Sequence, residues 1–392
     1  VHLFADEMSD AGGVPLPDAL RCVHDHLVQE RLRDQVGLIV SGGICAAEHV
    51  AKALVCGADA VAVDWILFVA WGCSLWADRG RCPVEEGELE PEWAAQRVVN
   101  LMAAWRDQLL EVMGAMGIRE ARRMRGESGR AIFHRTEEAH FKPLLGGTAP
   151  VSAYRRLPEP EQNSEGDFRW TTALLLSSHE QARTGEPPDG SMEFRVGNSG
   201  GGFDRLAFAF EIEGGPATRL SSSKSELADP ADFDMALTLN RRGDGRPAIS
   251  IPLPWWGSGM SYGSVGLPVM LSRAMAAQAL DTFTSTGEGG YPEELVPYAD
   301  HVITQIATGL FGVREETIQR ARLVEFKYAQ GAKPGLGGHL LGNKNTETVA
   351  DLREAVKGTS LFSPFPFHSV YSVEDHKKHV DWVKTVNPQA LV

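Results

Sequence analysis

Cysteine is scarce in this chain, with 5 in 392 residues, and the odd number leaves no complete disulfide framework. Cys22, Cys45, Cys56, Cys73 and Cys82 are scattered through apparent helices and strands. That usage points to reduced thiols and a cytoplasmic protein rather than a disulfide-stapled secreted one. Long apolar runs are missing too. The longest, Ala60 to Cys73, is interrupted by Asp64 and is too short to span a bilayer, so no membrane partner is expected. No charged-then-apolar leader is visible at the N-terminal end. Positive charge is in deficit: the formal net charge is −14, which argues against a nucleic-acid partner. What remains is a globular composition, 43% hydrophobic and 23% charged, long enough to bury a large core.

The densest chemistry lies in Lys327-Tyr-Ala-Gln330-Gly331-Ala-Lys333-Pro-Gly335-Leu-Gly337-Gly338-His339, directly after the apolar run Leu323-Val-Glu-Phe326. A strand running into a glycine-rich turn lets backbone N–H groups approach a ligand closely. Lysines on the turn add charge for a carboxylate or phosphate. Alone, such a loop is as readily an ordinary Gly/Pro turn with solvated lysines. Three other stretches accompany it: Trp255-Trp-Gly-Ser258-Gly259-Met260-Ser261-Tyr-Gly-Ser264, then Phe283-Thr-Ser285-Thr-Gly-Glu288-Gly-Gly290, and Ser363-Pro-Phe-Pro-Phe-His368-Ser-Val-Tyr371-Ser-Val-Glu-Asp375. At the other end, Leu38-Ile-Val-Ser41-Gly42-Gly43-Ile44 reads as a buried strand and tight turn. The helix Ala47 to Leu54 follows, then a second buried strand over Gly57 to Val63. Strand, turn, helix and strand with continuously apolar strands signify a parallel sheet covered by helices.

In that order the motifs of residues 251–392 resemble the FMN-binding barrel of the glutamate synthases and their relatives, and the resemblance continues over the first 83 residues. It implies an α/β fold, a (β/α)8 TIM-type FMN-binding barrel, with a small β-rich accessory module and a helical extension. The expected division is the late half of the barrel at 1–83, the helical extension at 84–143 and linker or loops at 144–190. The β-rich module follows at 191–250, and the early half of the barrel at 251–392. Within the extension, Trp93, Leu101, Trp105, Leu109, Val112, Met113 and Met116 recur near helical spacing. Arg119 to Arg130 is expected to be a solvated basic face. Gly200-Gly201-Gly202 lacks the flanking strand and helix of a phosphate loop and reads as a turn.

Relative to the family, the halves stand in permuted order. Val1-His2-Leu3 resembles the start of a mid-barrel strand and Asn387 to Val392 the start of an earlier one. Roughly two dozen family residues between them have no counterpart, about one strand and one helix. A permutation with a deletion, an engineered rearrangement, and a numbering that joins two pieces out of order all account for this. The last is favoured, because a break inside a barrel strand exposes edges that invite aggregation.

The resemblance also implies site residues. Ser258, Gly259, Met260 and Ser261 would lie against the isoalloxazine, and Ser285, Lys327 and Gln330 would contact the cofactor. Ser41, Gly42, Gly43 and Asp64 fall where the family holds the FMN phosphate, on backbone N–H groups at a strand end. A lysine near the pyrimidine edge, Lys327, stabilises the anion of reduced flavin. Glu288, Gln330, Lys333, His339 and Arg353 would meet the substrate, with Lys327, Glu288 and Lys333 carrying the chemistry. The cationic pair Lys333 and Arg353 matches the two carboxylates of 2-oxoglutarate.

Several positions depart from the family. His339 replaces its usual glutamine. Asp6, Glu7 and Asp10 stand in a segment the family makes rich in glycine and threonine. Asp64 would repel a phosphate unless turned away. Glutamate synthases place three or more cysteines after the last strand, where this chain has only Cys73 and Cys82. Two thiolates do not complete a cluster, so no iron–sulfur cluster and no other metal is expected within the chain. No glutaminase module is expected in it, so ammonia or an amine would come free or from a partner subunit, a partner that donates the amine or the electrons is expected, and so is an oligomer. The leading reading is an FMN-dependent oxidoreductase of the glutamate synthase type, reducing the imine of 2-oxoglutarate or a similar keto acid. A degenerate non-catalytic barrel with a structural or regulatory role, and an FMN enzyme acting on a different small acid, are the alternatives.

Overall fold

The computed structural model describes residues 1–6, 9–73, 82–84, 87, 89–127, 131–133, 170–188, 203, 206–208, 230–240, 243, 245, 247–328, 336–364 and 370–392. The chain divides into two compact units, residues 1–66, 101–237 and 250–255 in one and 67–100, 238–249 and 256–392 in the other.

The first unit holds three parallel strands, His2–Phe4 (β1), Ile39–Ser41 (β2) and Ala60–Val63 (β3), in register His2↔Ile39 and Ile39↔Ala60. All four residues of β3 are buried, as a strand covered on both faces should be. Helix Leu16–Gln29 (α1) connects β1 to β2, and helix Ala47–Cys56 (α2) connects β2 to β3. Leu16, Leu20 and His24 form the buried stripe of α1 at a spacing of four. β2, α2 and β3 match the strand–turn–helix–strand pattern legible in the sequence, whereas α1 carries no such reading there. The Cys56 thiol, buried at the end of α2, is pushed up to about 12 by desolvation, the behaviour of an inert core thiol. All five cysteines are free thiols.

A buried polar network ties this unit together. Arg33 donates from Nε to His24 Nδ1 (3.0 Å), from Nη1 to Val36 O (2.6 Å), and from Nη2 to Gly57 O (2.6 Å) and Asp59 Oδ2 (2.9 Å). Asp59 also accepts from Leu38 N and from Arg125 Nη1, whose Nη2 reaches Asp34. Arg125 therefore departs from the expected solvated face. Arg122 and Arg123 keep to it, exposed and paired with Glu120. A carboxylate as buried as Asp59 is stable only because two guanidinium groups and a backbone N–H meet its oxygens.

The long amphipathic helix runs over Pro91–Met116 (α4), after the short Trp65–Ala70 (α3). Leu101, Trp105, Leu109, Met113 and Met116 are buried along it. Trp93 is not core: it is 48% exposed and stacks under the Arg97 guanidinium, 5.3 Å from the ring centroid. Within the stretch 84–143, Ala131–Phe133 (β4) is a strand, antiparallel to Leu206–Phe208 (β5). A helix, Thr172–Thr184 (α5), lies within the stretch expected to be loops, capped by Thr171 Oγ1 accepting from Leu174 N (3.2 Å). The triplet Gly200 to Gly202 lies outside the described residues.

Leu237–Leu239 (β6) and Ile249–Ile251 (β7) are short strands that precede Trp255–Gly259 (β8). In the second unit β8, Thr284–Ser285 (β9), Val302–Ala307 (β10) and Val324–Lys327 (β11) pair in parallel. Helix Leu267–Ala279 (α6) connects β8 to β9, and the short Glu315–Gln319 (α7) connects β10 to β11. Ile306, Ile318, Ala321, Val324, Val383 and Ala390 form one core cluster, bringing the later helix Val373–Val386 onto the same wall. The final residues run parallel to β11: Val324 N donates to Leu391 O (2.8 Å) and Leu391 N to Arg322 O (2.9 Å). The Asn387 amide fastens that tail to the carbonyls of Ile318, Gln319 and Ala321. This is an α/β fold of parallel strands joined through helices, the unit from which barrel walls are made.

Candidate functional site

In the second unit, the carboxyl ends of the strands bring several expected residues together. β8 enters the core through Trp255 and Trp256 and surfaces at Gly259, with Ser258 buried and Met260 and Ser261 half-buried. Arg273 of α6, itself buried, donates to Ser258 O and fixes the strand end. The turn after β9 is pressed against this segment. Gly287 has φ +67°, and a Cβ there would lie 2.5 Å from Ser261 N and 2.8 Å from Met260 C. No L-residue side chain fits between those two backbones. The Gly259 peptide and the Gly287 turn thus form a narrow backbone-lined surface of the kind a planar ring requires.

The charges stand beside it. Lys327, the last residue of β11, pairs with Glu288 at 3.1 Å, and both are partly buried. Arg353 ends the helix Glu347–Arg353 and is only 5% exposed. Its guanidinium lies over the Phe311 ring and within 3.3 Å of where a Cβ on Gly289 would stand. Among the described residues, its Nε and Nη1 have no hydrogen-bond partner. Burial pulls the Arg353 pKa below its ordinary value, against the attraction of Glu288. A buried cation with two donors unmet is costly, and an anionic ligand is the natural remedy. The sequence sets these residues far apart, and the structure brings Glu288, Lys327 and Arg353 to one corner.

The other expected contacts divide. Ser285 donates to Glu325 Oε2 (3.1 Å) and accepts from Gly287 N (3.3 Å), so it supports the turn from below. His339, on Leu336–Leu340 (β12), is half-buried. Gln330 and Lys333 lie outside the described residues. Sequence reasoning missed Gln305 and Glu325, polar residues inside otherwise apolar strands. Gln305 Nε2 donates to Glu325 Oε2 at 2.8 Å. The signal was the break in the patterns Val-Ile-Thr-Gln-Ile-Ala and Val-Glu-Phe-Lys.

In the first unit, Ser41, Gly42 and Gly43 form the turn after β2. Gly42 has φ +98°, and a Cβ there would stand 2.1 Å from Ala5 O, so the turn is closed against the end of β1. The fully buried Ser41 hydroxyl lies 2.8 Å from His2 Nε2, a partner invisible in the sequence. Asp64 Oδ1 accepts from the neighbouring Trp65 N (2.7 Å), and a carboxylate offers a phosphate no donor. Asp6 accepts likewise from Asp10 N (2.8 Å). Cys73 is buried and Cys82 half-buried, with residues 74–81 outside the described set. Among the described residues, no cluster of three His, Cys, Asp or Glu could hold a metal, and no helix is long and apolar enough to cross a membrane.

A family model described as the conserved region in glutamate synthase matches residues 5–119 and 220–392, more than half of the chain. An archaeal-type glutamate synthase [NADPH] of Thermotoga neapolitana is 34% identical over 232 residues, covering 55% of this chain and 44% of that protein. An archaeal glutamate synthase [NADPH] of Methanocaldococcus jannaschii is 46% identical over 129 residues, covering 33% of this chain and 25% of that protein. The glutamate synthase [NADPH] large chain of Bacillus subtilis is 26% identical over 431 aligned residues, covering 100% of this chain and 26% of its own length. The chain thus spans less than half the length of these curated relatives.

Proposed function

The chain belongs to the glutamate synthase family, and we propose that it is an FMN-dependent oxidoreductase within a (β/α)8 barrel. It reduces the imine formed from 2-oxoglutarate, or a similar keto acid, and ammonia or an amine to the amino acid. The observation that carries this reading is the buried Arg353 with two unmet donors beside the Lys327–Glu288 pair and the Gly259–Gly287 surface. Bound FMN would supply the hydride. Gly259, Met260 and Ser261 would hold its ring, with the half-buried Lys327 placing positive charge near it. The Ser41–Gly43 turn is assigned to the phosphate. Asp64 does not fit that role through its carboxylate, which Trp65 N already engages.

Arg353 is assigned to one substrate carboxylate, where its planar fork and low exposure make a strong, specific pair. Lys333 is assigned to the other. Glu288 is assigned to the substrate nitrogen, with Lys327 paired to it at 3.1 Å. Gln330 and His339 complete the proposed substrate contacts. A partner that delivers the amine or the electrons, and the absence of an iron–sulfur cluster from the chain, belong to the same proposal. Cys73 and Cys82 as the lone cysteines after β3 support the latter.

The experiment is a visible spectrum of the purified chain titrated with FMN and then with dithionite, with iron and acid-labile sulfide measured on the same sample. The expected result is a two-band flavin spectrum that bleaches on reduction, with neither iron nor sulfide. Failure to bind FMN leaves a non-catalytic barrel. Stoichiometric iron and sulfide would place a cluster in the chain.

A further inference from the structure

The turn after β10 reaches both cations of the corner. Thr308 N donates to Lys327 O (3.2 Å), and Gly312 N donates to Arg353 O (3.1 Å). Between these anchors stands the half-buried Phe311, its ring centroid 5.9 Å from the Arg353 guanidinium carbon. The turn is shaped for that placement. Leu310 holds φ +54°, a left-handed backbone that is costly for a residue other than glycine. Its side chain is 43% exposed, so its own packing does not demand the conformation. A Cβ on Gly309 would lie 2.3 Å from Phe311 Cε2, so the bare Gly309 backbone makes room for the ring.

The backbone that carries the arginine is gripped as well. A Cβ on Gly290 would stand 2.2 Å from Leu352 O, and one on Gly312 2.0 Å from the same atom. Both glycine turns therefore close on the end of the helix Glu347–Arg353. Glu354 leaves that helix at φ +52° and accepts from Arg314 Nε (2.7 Å). With its backbone fixed, Arg353 keeps only its side-chain torsions, and Phe311 lies against the end of them. A guanidinium is planar, and its N–H bonds point outward in that plane. An aromatic ring attracts it through the face and leaves the edge donors open. A carboxylate or carbonyl at the position of Phe311 would take those donors instead. The buried Nε and Nη1, without a hydrogen-bond partner among the described residues, agree with contact through the face.

We infer that Phe311 is a positioning residue: it holds the Arg353 guanidinium by its face, dries it, and leaves its edge donors to a substrate carboxylate. The turn 308–312 is the clamp that sets Arg353 against Lys327, since it bonds to the backbone carbonyls of both. The inference rests on the assignment of Arg353 to the keto acid and adds the group that orients it.

The test is steady-state kinetics of the full FMN-loaded chain over a 2-oxoglutarate series, with ammonium and with dithionite as reductant. The variants are Phe311→Leu, Phe311→Met, Phe311→Tyr, Arg353→Leu and the double variant Phe311→Leu with Arg353→Leu, each with a melting curve. Leu and Met keep apolar bulk without the ring face. Each is expected to raise KM for 2-oxoglutarate about five- to thirtyfold, the scale of a desolvated cation–π contact. The kcat is expected to stay near the wild-type value, because the lost interaction serves bound substrate and transition state alike. Phe311→Tyr keeps the ring face and is expected to recover most of the loss. The double variant is expected to be no worse in kcat/KM than Arg353→Leu alone, because Phe311 acts only through Arg353. A purely structural Phe311 would lower kcat and the melting temperature and add its loss to that of Arg353→Leu, which overturns the inference. A wild-type KM in Phe311→Met overturns it as well, even if Phe311→Leu does not fold. In both cases an impaired Arg353→Leu leaves the proposed function standing. A wild type that does not turn over 2-oxoglutarate, or unchanged kinetics in Arg353→Leu, removes the assignment beneath the inference and the inference with it.

Discussion

Arg353→Leu is expected to lower kcat/KM for the keto acid by roughly a hundredfold to a thousandfold, the effect of removing one partner of a buried charge pair. The argument is local. Arg353 is 5% exposed, and Nε and Nη1 have no acceptor among the described residues. Glu288 attracts it but makes no hydrogen bond to those two atoms. An incoming carboxylate would meet a donor fork already desolvated by Phe311 and Gly289. Arg353→Lys keeps the charge and loses the fork, so it is expected to recover only part of the loss. Thermal stability should not fall with activity, because a buried cation with unmet donors is a cost to the unliganded fold. Steady-state kinetics over a keto-acid concentration series, with a melting curve for each variant, separates the two effects. Unchanged kinetics in Arg353→Leu would remove Arg353 from the substrate site.

The second large effect is a loss of stability in mild acid. Burial, with help from the charges of Arg21 and Arg33, pulls His24 down from 6.5 to about 4. Asp25 and the Gly57 backbone oppose the shift without reversing it. The native ring is therefore neutral and accepts from Arg33 Nε. In the unfolded chain the same ring takes a proton near its ordinary value of 6.5. Above that pH both states are neutral and the site is silent. As pH falls from 6.5 towards about 4, the unfolded state gains a proton that the native state refuses, and stability drops. The total is on the order of 2–3 kcal/mol, at about 1.4 kcal/mol per unit. His24→Asn keeps an acceptor for Arg33 without the titration. Denaturant midpoints across this range should fall steeply for the wild type and more shallowly for His24→Asn. Parallel slopes would assign the acid sensitivity to other groups.

Much of the first unit was legible because apolar runs and glycine turns act locally. Leu38 to Val63 gave strand, helix and strand with bounds close to those of β2, α2 and β3. In the second unit, Glu288, Lys327 and Arg353 could be named but not joined, because their meeting depends on strand pairing across dozens of residues. Trp93 misled because helical spacing shows that a residue belongs to a helix but not which face the fold covers. Arg125 misled for the converse reason: a charge run reads as solvated until a buried carboxylate such as Asp59 faces it. The helix Thr172–Thr184 was hidden by averaging composition over a longer polar stretch. Gln305 and Glu325 passed unnoticed because single polar residues in a strand carry no periodic signal, and only the geometry shows that they bond to each other.

The most direct measurement is an anaerobic single turnover. FMN-loaded protein is reduced with one equivalent of dithionite, then mixed with 2-oxoglutarate, with ammonium, or with both. The account predicts prompt return of the oxidised flavin spectrum only when both are present, with one glutamate formed per flavin and the response abolished or greatly slowed in Arg353→Leu. Flavin that stays reduced with both substrates present would contradict it, as would reoxidation by 2-oxoglutarate alone.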